Sequence, residues 1–150
     1  MDRGVADGAK AALTGRGERQ IDAPPQVVWD VLTRLEDWPS WNTDVKWMRF
    51  DGPLAPGTEF RWKAGPGTIV SRLDKVEPPS YISWHGRTLT IGAYHEWWLE
   101  ARDGGTFVRT EEAFFGLLAR LLRGPLEKTL DKSFADALER LKQESERRAG

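Results

Sequence analysis

The spacing of apolar positions along the chain changes twice, and each change marks a different kind of element. Gly15 to Asp22 alternates like a strand and stops at Pro24-Pro25, which cannot continue a ladder but suit the first turn of a helix. Val28, Val31, Leu32 and Leu35 then follow the i, i+3, i+4, i+7 rule and predict a helix of about ten residues with one buried face. In Asp37-Trp-Pro-Ser-Trp-Asn42, Asp37 is placed to cap a second short helical turn that Pro39 begins.

From Val45 the period becomes two, with turn residues at Asp51-Gly-Pro, Pro56-Gly57, Gly65-Pro-Gly67, Glu77-Pro-Pro-Ser80 and Asp103-Gly-Gly105. Strands are expected near 44–51, 57–64, 68–77, 80–86, 89–101 and 105–115, each burying one face. With the N-terminal strand they make a seven-stranded antiparallel sheet. Beyond Leu117 the chain reads as helix, because Leu118, Leu122, Leu126, Leu130, Phe134 and Leu138 recur every four residues. Such a stripe slants by about 40° per step and suits a helix crossing a twisted sheet. Gly124-Pro125 is expected to kink it or split off its first turns. Residues 1–14 show no clear period and read as a mobile leader, leaving 15–148 as a single α+β domain.

The last hairpin can be registered from its turn. Asp103-Gly104 supplies the positive φ of a two-residue loop, so Arg102 pairs with Gly105. Leu99 then faces Val108, Trp97 faces Thr110, His95 faces Glu112 and Ala93 faces Phe114. The apolar members fall on one face, as a correct register requires. The same alternation turns Phe60, Trp62, Ile69, Ser71, Leu73, Ile82 and Trp84 inward, and His85 outward to solvent. Arg87 falls in a turn near the strand ends, and Trp38 and Trp41 would roof one end of the interior.

Composition narrows what such a fold can do. The 22 basic and 23 acidic residues leave a net charge of −1, which removes the electrostatic drive toward nucleic acid. There is no cysteine and no run of 18 apolar residues, so neither a disulfide scaffold nor stable membrane insertion is expected, and a cytoplasmic location is the default. Two histidines without metal-ligand spacing predict no metal, and the absence of phosphate or dinucleotide fingerprints predicts no such cofactor. Eight tryptophans against two tyrosines remain unusual. They either fill a core or line a cavity.

Several phrases carry a resemblance: Ile21-Asp-Ala-Pro-Pro-Gln-Val-Val-Trp-Asp-Val-Leu32, Asp37-Trp-Pro-Ser-Trp-Asn42, Leu54-Ala-Pro-Gly-Thr58 with Phe60-Arg-Trp62, Val76-Glu-Pro-Pro79 ahead of Ile82-Ser-Trp84, and His95-Glu-Trp97. In this order of elements they resemble the START-like, Bet v 1-like (SRPBCC) superfamily, in its bacterial polyketide cyclase/dehydratase and lipid-transport branch. The resemblance implies a helix-grip fold with a cavity between sheet and C-terminal helix, and a small hydrophobic ligand, aromatic or lipid-like. It does not imply one reaction.

Within that expectation, Phe60, Trp62, Ser71, Trp84, Arg87, Trp97, Thr110, Phe114 and Trp41 are the candidate ligand-binding residues. His95 and Glu112 are the candidate catalytic pair, with the carboxylate stabilising imidazolium or fixing the tautomer of a neutral ring. Three readings stay open. The chain is a ligand binder; or a cyclase/dehydratase in which His95 removes a proton, Glu112 orients it and Arg87 or a water stabilises the enolate; or a homodimerising interaction module using Trp98 and Phe107.

Overall fold

The computed structural model describes residues 10–150; the larger part of the expected leader, residues 1–9, lies outside them. Strand β1 (Leu13–Ile21) leads into α1 (Pro25–Thr33), a 3-10 turn (Leu35–Asp37) and the one-turn helix α2 (Trp38–Trp41). Strands β2 (Trp47–Arg49), β3 (Glu59–Lys63), β4 (Ile69–Glu77), β5 (Tyr81–Arg87), β6 (Gly92–Arg102) and β7 (Gly105–Phe115) follow, then α3 (Leu117–Leu121) and α4 (Arg123–Ala149). The seven strands form one curved antiparallel sheet in the order β1-β7-β6-β5-β4-β3-β2, a meander whose first strand returns to lie beside its last. Helix α4 crosses β1 and packs on α1, which completes a helix-grip fold.

The register of the β6–β7 hairpin is the one that its turn predicts, with Arg102 opposite Gly105 and His95 opposite Glu112. Asp103 and Gly104 take φ of 52° and 76°, the left-handed pair of a tight two-residue loop. Other boundaries shift for identifiable reasons. Leu13 is buried and pairs with Phe114, so the sheet begins two residues before the expected Gly15. The 44–51 strand shortens to Trp47–Arg49 because its start is given to a loop that buries Val45. Asp37 makes no side-chain cap; the 3-10 turn delivers the chain directly into α2. The helical tail breaks at Leu122, ahead of Gly124-Pro125, and Pro125 sits in the first turn of α4, where a missing N–H costs nothing.

Two glycines explain how α4 reaches the sheet. A Cβ on Gly15 would lie 2.4 Å from Phe134 Cε2, and one on Gly17 would lie 2.8 Å from Leu138 Cδ1, so only bare backbone lets the helix settle on β1. A similar approach ties the last hairpin to the end of β1. Thr106 Oγ1 donates to Ala23 O at 2.7 Å, and a Cβ on Gly105 would stand 2.3 Å from the carbonyl oxygen of Ile21. Because that neighbour is backbone, Gly105→Ala is expected to cost about 1–3 kcal/mol, read as a lower urea midpoint at unchanged slope. An unchanged midpoint would mean that the hairpin end moves freely.

One buried cluster runs through the molecule and includes the inward tryptophans. In it Ile21, Val28, Val31, Leu32, Leu35, Ile82, Leu99 and Val108 join Leu138 and Leu141 of α4. Toward the other end of α4, Leu126 and Leu130 are only half-buried. There the helix and sheet part.

Candidate functional site

Between the first half of α4 and the concave face of the sheet lies a cavity of about 600 Å³, within the usual range for small-molecule sites. Its aromatic wall is built by period-two alternation on β3, β5 and β6, which turns Trp62, Trp84 and Trp97 inward, and by α2, which adds Trp38 and Trp41. Trp38 is the hub of this wall, meeting Trp41, Trp62, Trp84 and Trp97 edge to face with centroids 5.4–6.3 Å apart. Its indole N–H donates to Leu32 O at 2.8 Å, so the ring is fixed at its polar end as well. Trp62 Nε1 donates to Ser71 Oγ at 3.0 Å, satisfying two polar groups in one bond. Leu126, Leu130 and Phe134 of α4 supply the opposite side. Arg140 fastens the helix over the α2 end, bonding Asn42 Oδ1 at 3.1 Å and Asp44 Oδ2 at 3.0 Å.

His95 and Glu112 stand together in this wall. His95 Nε2 lies 2.7 Å from Thr110 Oγ1, and the Thr110 hydroxyl donates to Glu96 O at 2.9 Å. The single hydroxyl proton is therefore spent on the carbonyl, and Nε2 must carry the proton of the His95–Thr110 bond. Nδ1 is left with a lone pair, sealed from solvent and 3.4 Å from Glu112 Oε2. Rings of Trp84, Trp97 and Phe134 surround the imidazole at 5.1, 5.1 and 5.6 Å. Removal of water pushes Glu112 up to about 8 and His95 down to about 3. Both shifts run toward an imidazole beside a carboxylic acid. Burial thus works against a carboxylate-stabilised imidazolium and toward the neutral ring, the other form that the sequence left open.

The structure brings Trp41, Trp62, Ser71, Trp84, Trp97 and Phe114 to the cavity with His95 and Glu112. Arg87 is exposed at its rim, three strand positions beyond Trp84, which faces His95 across the sheet. That is about 10 Å along the strand, which puts Arg87 at the mouth of the cavity and not beside His95. Phe60 and Thr110 do not reach the cavity. Phe60 is buried behind Trp84, at 5.7 Å, and Phe50, at 5.9 Å; Thr110 is sealed behind His95 as its hydrogen-bond partner. Alternation gave the correct face for both but not their depth. Sequence reasoning missed Phe134, Leu126 and Leu130 as cavity residues, although the four-residue stripe contained them.

The outer face of the sheet is more covered than expected. His85 points outward but is largely buried, its ring 4.7 Å from that of Tyr94 and its Nε2 3.9 Å from Asp74 Oδ1. Trp98 and Phe107 are half-buried, with the guanidinium groups of Arg109 and Arg102 over their rings at 4.2 and 3.9 Å. These cations give the two rings a polar cover, unlike the open apolar patch that an interaction surface there would need.

Residues 13–146 match the family model described as polyketide cyclase / dehydrase and lipid transport. No curated protein matches. Among solved structures, the chain is similar to hypothetical protein jhp0584 from Helicobacter pylori (TM-score 0.81, 16% identity, 93% of this chain and 91% of that one). It is also similar to the ZhuI aromatase/cyclase from Streptomyces sp. R1128 (0.77, 17%, 92% and 96%) and to Ara h 8.0201 (0.63, 15%, 86% and 97%). At these identities the structural likeness speaks for the fold.

Proposed function

Because the chain belongs to the polyketide cyclase/dehydrase and lipid transport family, we propose that it binds a small hydrophobic, oxygen-bearing molecule in the cavity between sheet and α4. The observation that carries this reading is an apolar cavity of about 600 Å³ onto which Glu112 opens its carboxyl group. Tryptophan faces bind the flat or aliphatic body of the ligand without hydrogen-bond demands. Glu112 keeps 16% of its side chain exposed, and that surface opens on the cavity, so its carboxyl meets a ligand carbonyl or hydroxyl. His95 touches the cavity through its ring carbons, while its nitrogens are turned to Thr110 and Glu112.

Titration of the tryptophan fluorescence with naphthols and fatty acids tests the reading. Saturable quenching by at least one class is expected. Ala93→Phe, which places a ring in the cavity from β6, should weaken that binding at least ~100-fold, the cost of excluding the ligand body from apolar surface. No response from the wild-type protein, or equal binding by the variant, would overturn the assignment.

The same geometry favours a second reading, a cyclase/dehydratase, with the roles of the pair exchanged from the sequence expectation. Glu112 is the acid that protonates a substrate ketone oxygen, the carboxylate this leaves takes the α-proton so that the enol forms and the acid is restored, and His95, whose Nδ1 faces that carboxyl, orients it. Glu112→Gln should then abolish turnover of a poly-β-ketone substrate while ligand affinity stays within a few-fold; retained turnover would remove Glu112 from the chemistry.

A further inference from the structure

The large hydrophobic side chains that remain exposed among the described residues are Leu89, Leu117, Leu121 and Leu122. They are not scattered. Leu89 is fully exposed in the β5–β6 loop, and Leu117 and Leu121, each 70% exposed, lie one turn apart on α3. The two segments adjoin, since Gly116 at the start of α3 packs on the loop so closely that a Cβ there would be 3.0 Å from Thr90 O. Arg87 at the end of β5, Thr88 and Ile91 of that loop, and Leu126 just beyond α3 line the cavity. The exposed leucines therefore border its opening.

Charge at this rim is mainly positive. Residues 86–91 and 116–126 contain Arg87, Arg120 and Arg123 and no acidic residue. Arg87 and Arg120 form no ion pair among the described residues, and Arg123 is held by Glu127 one turn on. We propose that this rim docks on an anionic lipid surface, with the leucines in the acyl boundary and the arginines among the headgroups. The proposal rests on the ligand-binding reading only for its purpose, which is to pass a hydrophobic molecule between bilayer and cavity without crossing water. A second copy of the chain fits less well, because a two-fold interface would bring each arginine set toward its own duplicate. No described helix is long and apolar enough to span, so the contact is peripheral.

Co-sedimentation of the full chain with phosphatidylcholine vesicles, with and without phosphatidylglycerol, tests the proposal. Binding to the anionic vesicles is expected, weakened by salt. Combining Leu89→Asp, Leu117→Asp and Leu121→Asp should reduce it at least ~100-fold, and combining Arg120→Ser with Arg123→Ser roughly tenfold. The leucine variant should still bind naphthols or fatty acids in solution as the wild type does, which separates failure of docking from failure of the cavity assignment. Absence of binding to anionic vesicles, or equal binding by the leucine variant, would overturn the proposal. So would a dimer in analytical ultracentrifugation that the leucine variant abolishes, which would give the patch to a second copy.

Discussion

Trp84→Ala is expected to lower stability by about 3–5 kcal/mol, and the melting temperature by roughly 10–15 °C. Trp84 is 1% exposed at the centre of the sheet and holds three rings in place: Trp38 at 5.8 Å, Phe60 at 5.7 Å and His95 at 5.1 Å. Truncation leaves a void that merges with the existing cavity, so the flanking rings cannot collapse on new partners. Trp98→Ala on the outer face is the internal comparison. That ring is half-buried and rests on Tyr81 and Arg109, so its loss should cost at most about 1 kcal/mol. Differential scanning calorimetry on both variants decides the matter. Equal losses would mean that the inner aromatic wall is not what supports the sheet.

The asymmetry between those two tryptophans was legible before any coordinates, because period-two spacing puts Trp84 and Trp98 on opposite faces. The hairpin register was legible for the same reason, once Asp103-Gly104 fixed the turn. Contacts between distant segments were not. Gly15 and Gly17 read locally as weak strand formers, yet they are what allows Phe134 and Leu138 to approach β1. Leu13 lay in a stretch of small and charged residues whose pairing with Phe114 depends on a strand a hundred positions away. The helix break falls at Leu122 because proline is harmless in a first turn, a distinction that the mere presence of Gly124-Pro125 does not make.

At the site, facing direction was readable and depth was not. Phe60 and Trp62 share a parity, but Trp62 lines the cavity while Phe60 lies behind Trp84. The His95–Glu112 juxtaposition follows from register alone. Its ionisation does not, since opposed histidine and glutamate in water would charge one another. Only the enclosing rings of Trp84, Trp97 and Phe134 turn the balance toward two neutral groups.

That neutrality predicts a stability profile with a plateau in mildly acidic solution and a fall on either side. Glu112 titrates at about 8 in the folded chain against its ordinary 4.5. Between these values the folded state holds a proton that the unfolded state has released, so stability declines as pH rises. His95 behaves oppositely, at about 3 folded against 6.5. Between those values the unfolded state binds the extra proton, so stability declines as pH falls. From 4.5 to 6.5 the two slopes cancel; above 6.5 the Glu112 slope stands alone and removes about 2 kcal/mol by pH 8. The acid side is shared with Asp136, Glu144 and Glu146, whose helix ion pairs hold them below the usual carboxylate range, so the alkaline limb is the cleaner readout. Glu112→Gln keeps an N–H donor for His95 Nδ1 and has nothing to ionise. It should lose the plateau and keep the His95 slope alone, gaining on the wild type by about 2 kcal/mol between pH 4.5 and 6.5 and by about 2 kcal/mol more by pH 8 in urea denaturation. Parallel profiles for the two proteins would show that Glu112 is already a carboxylate in the folded chain. The acid role assigned to it in the cavity would go with that result, because a carboxylate has no proton to give a ligand carbonyl.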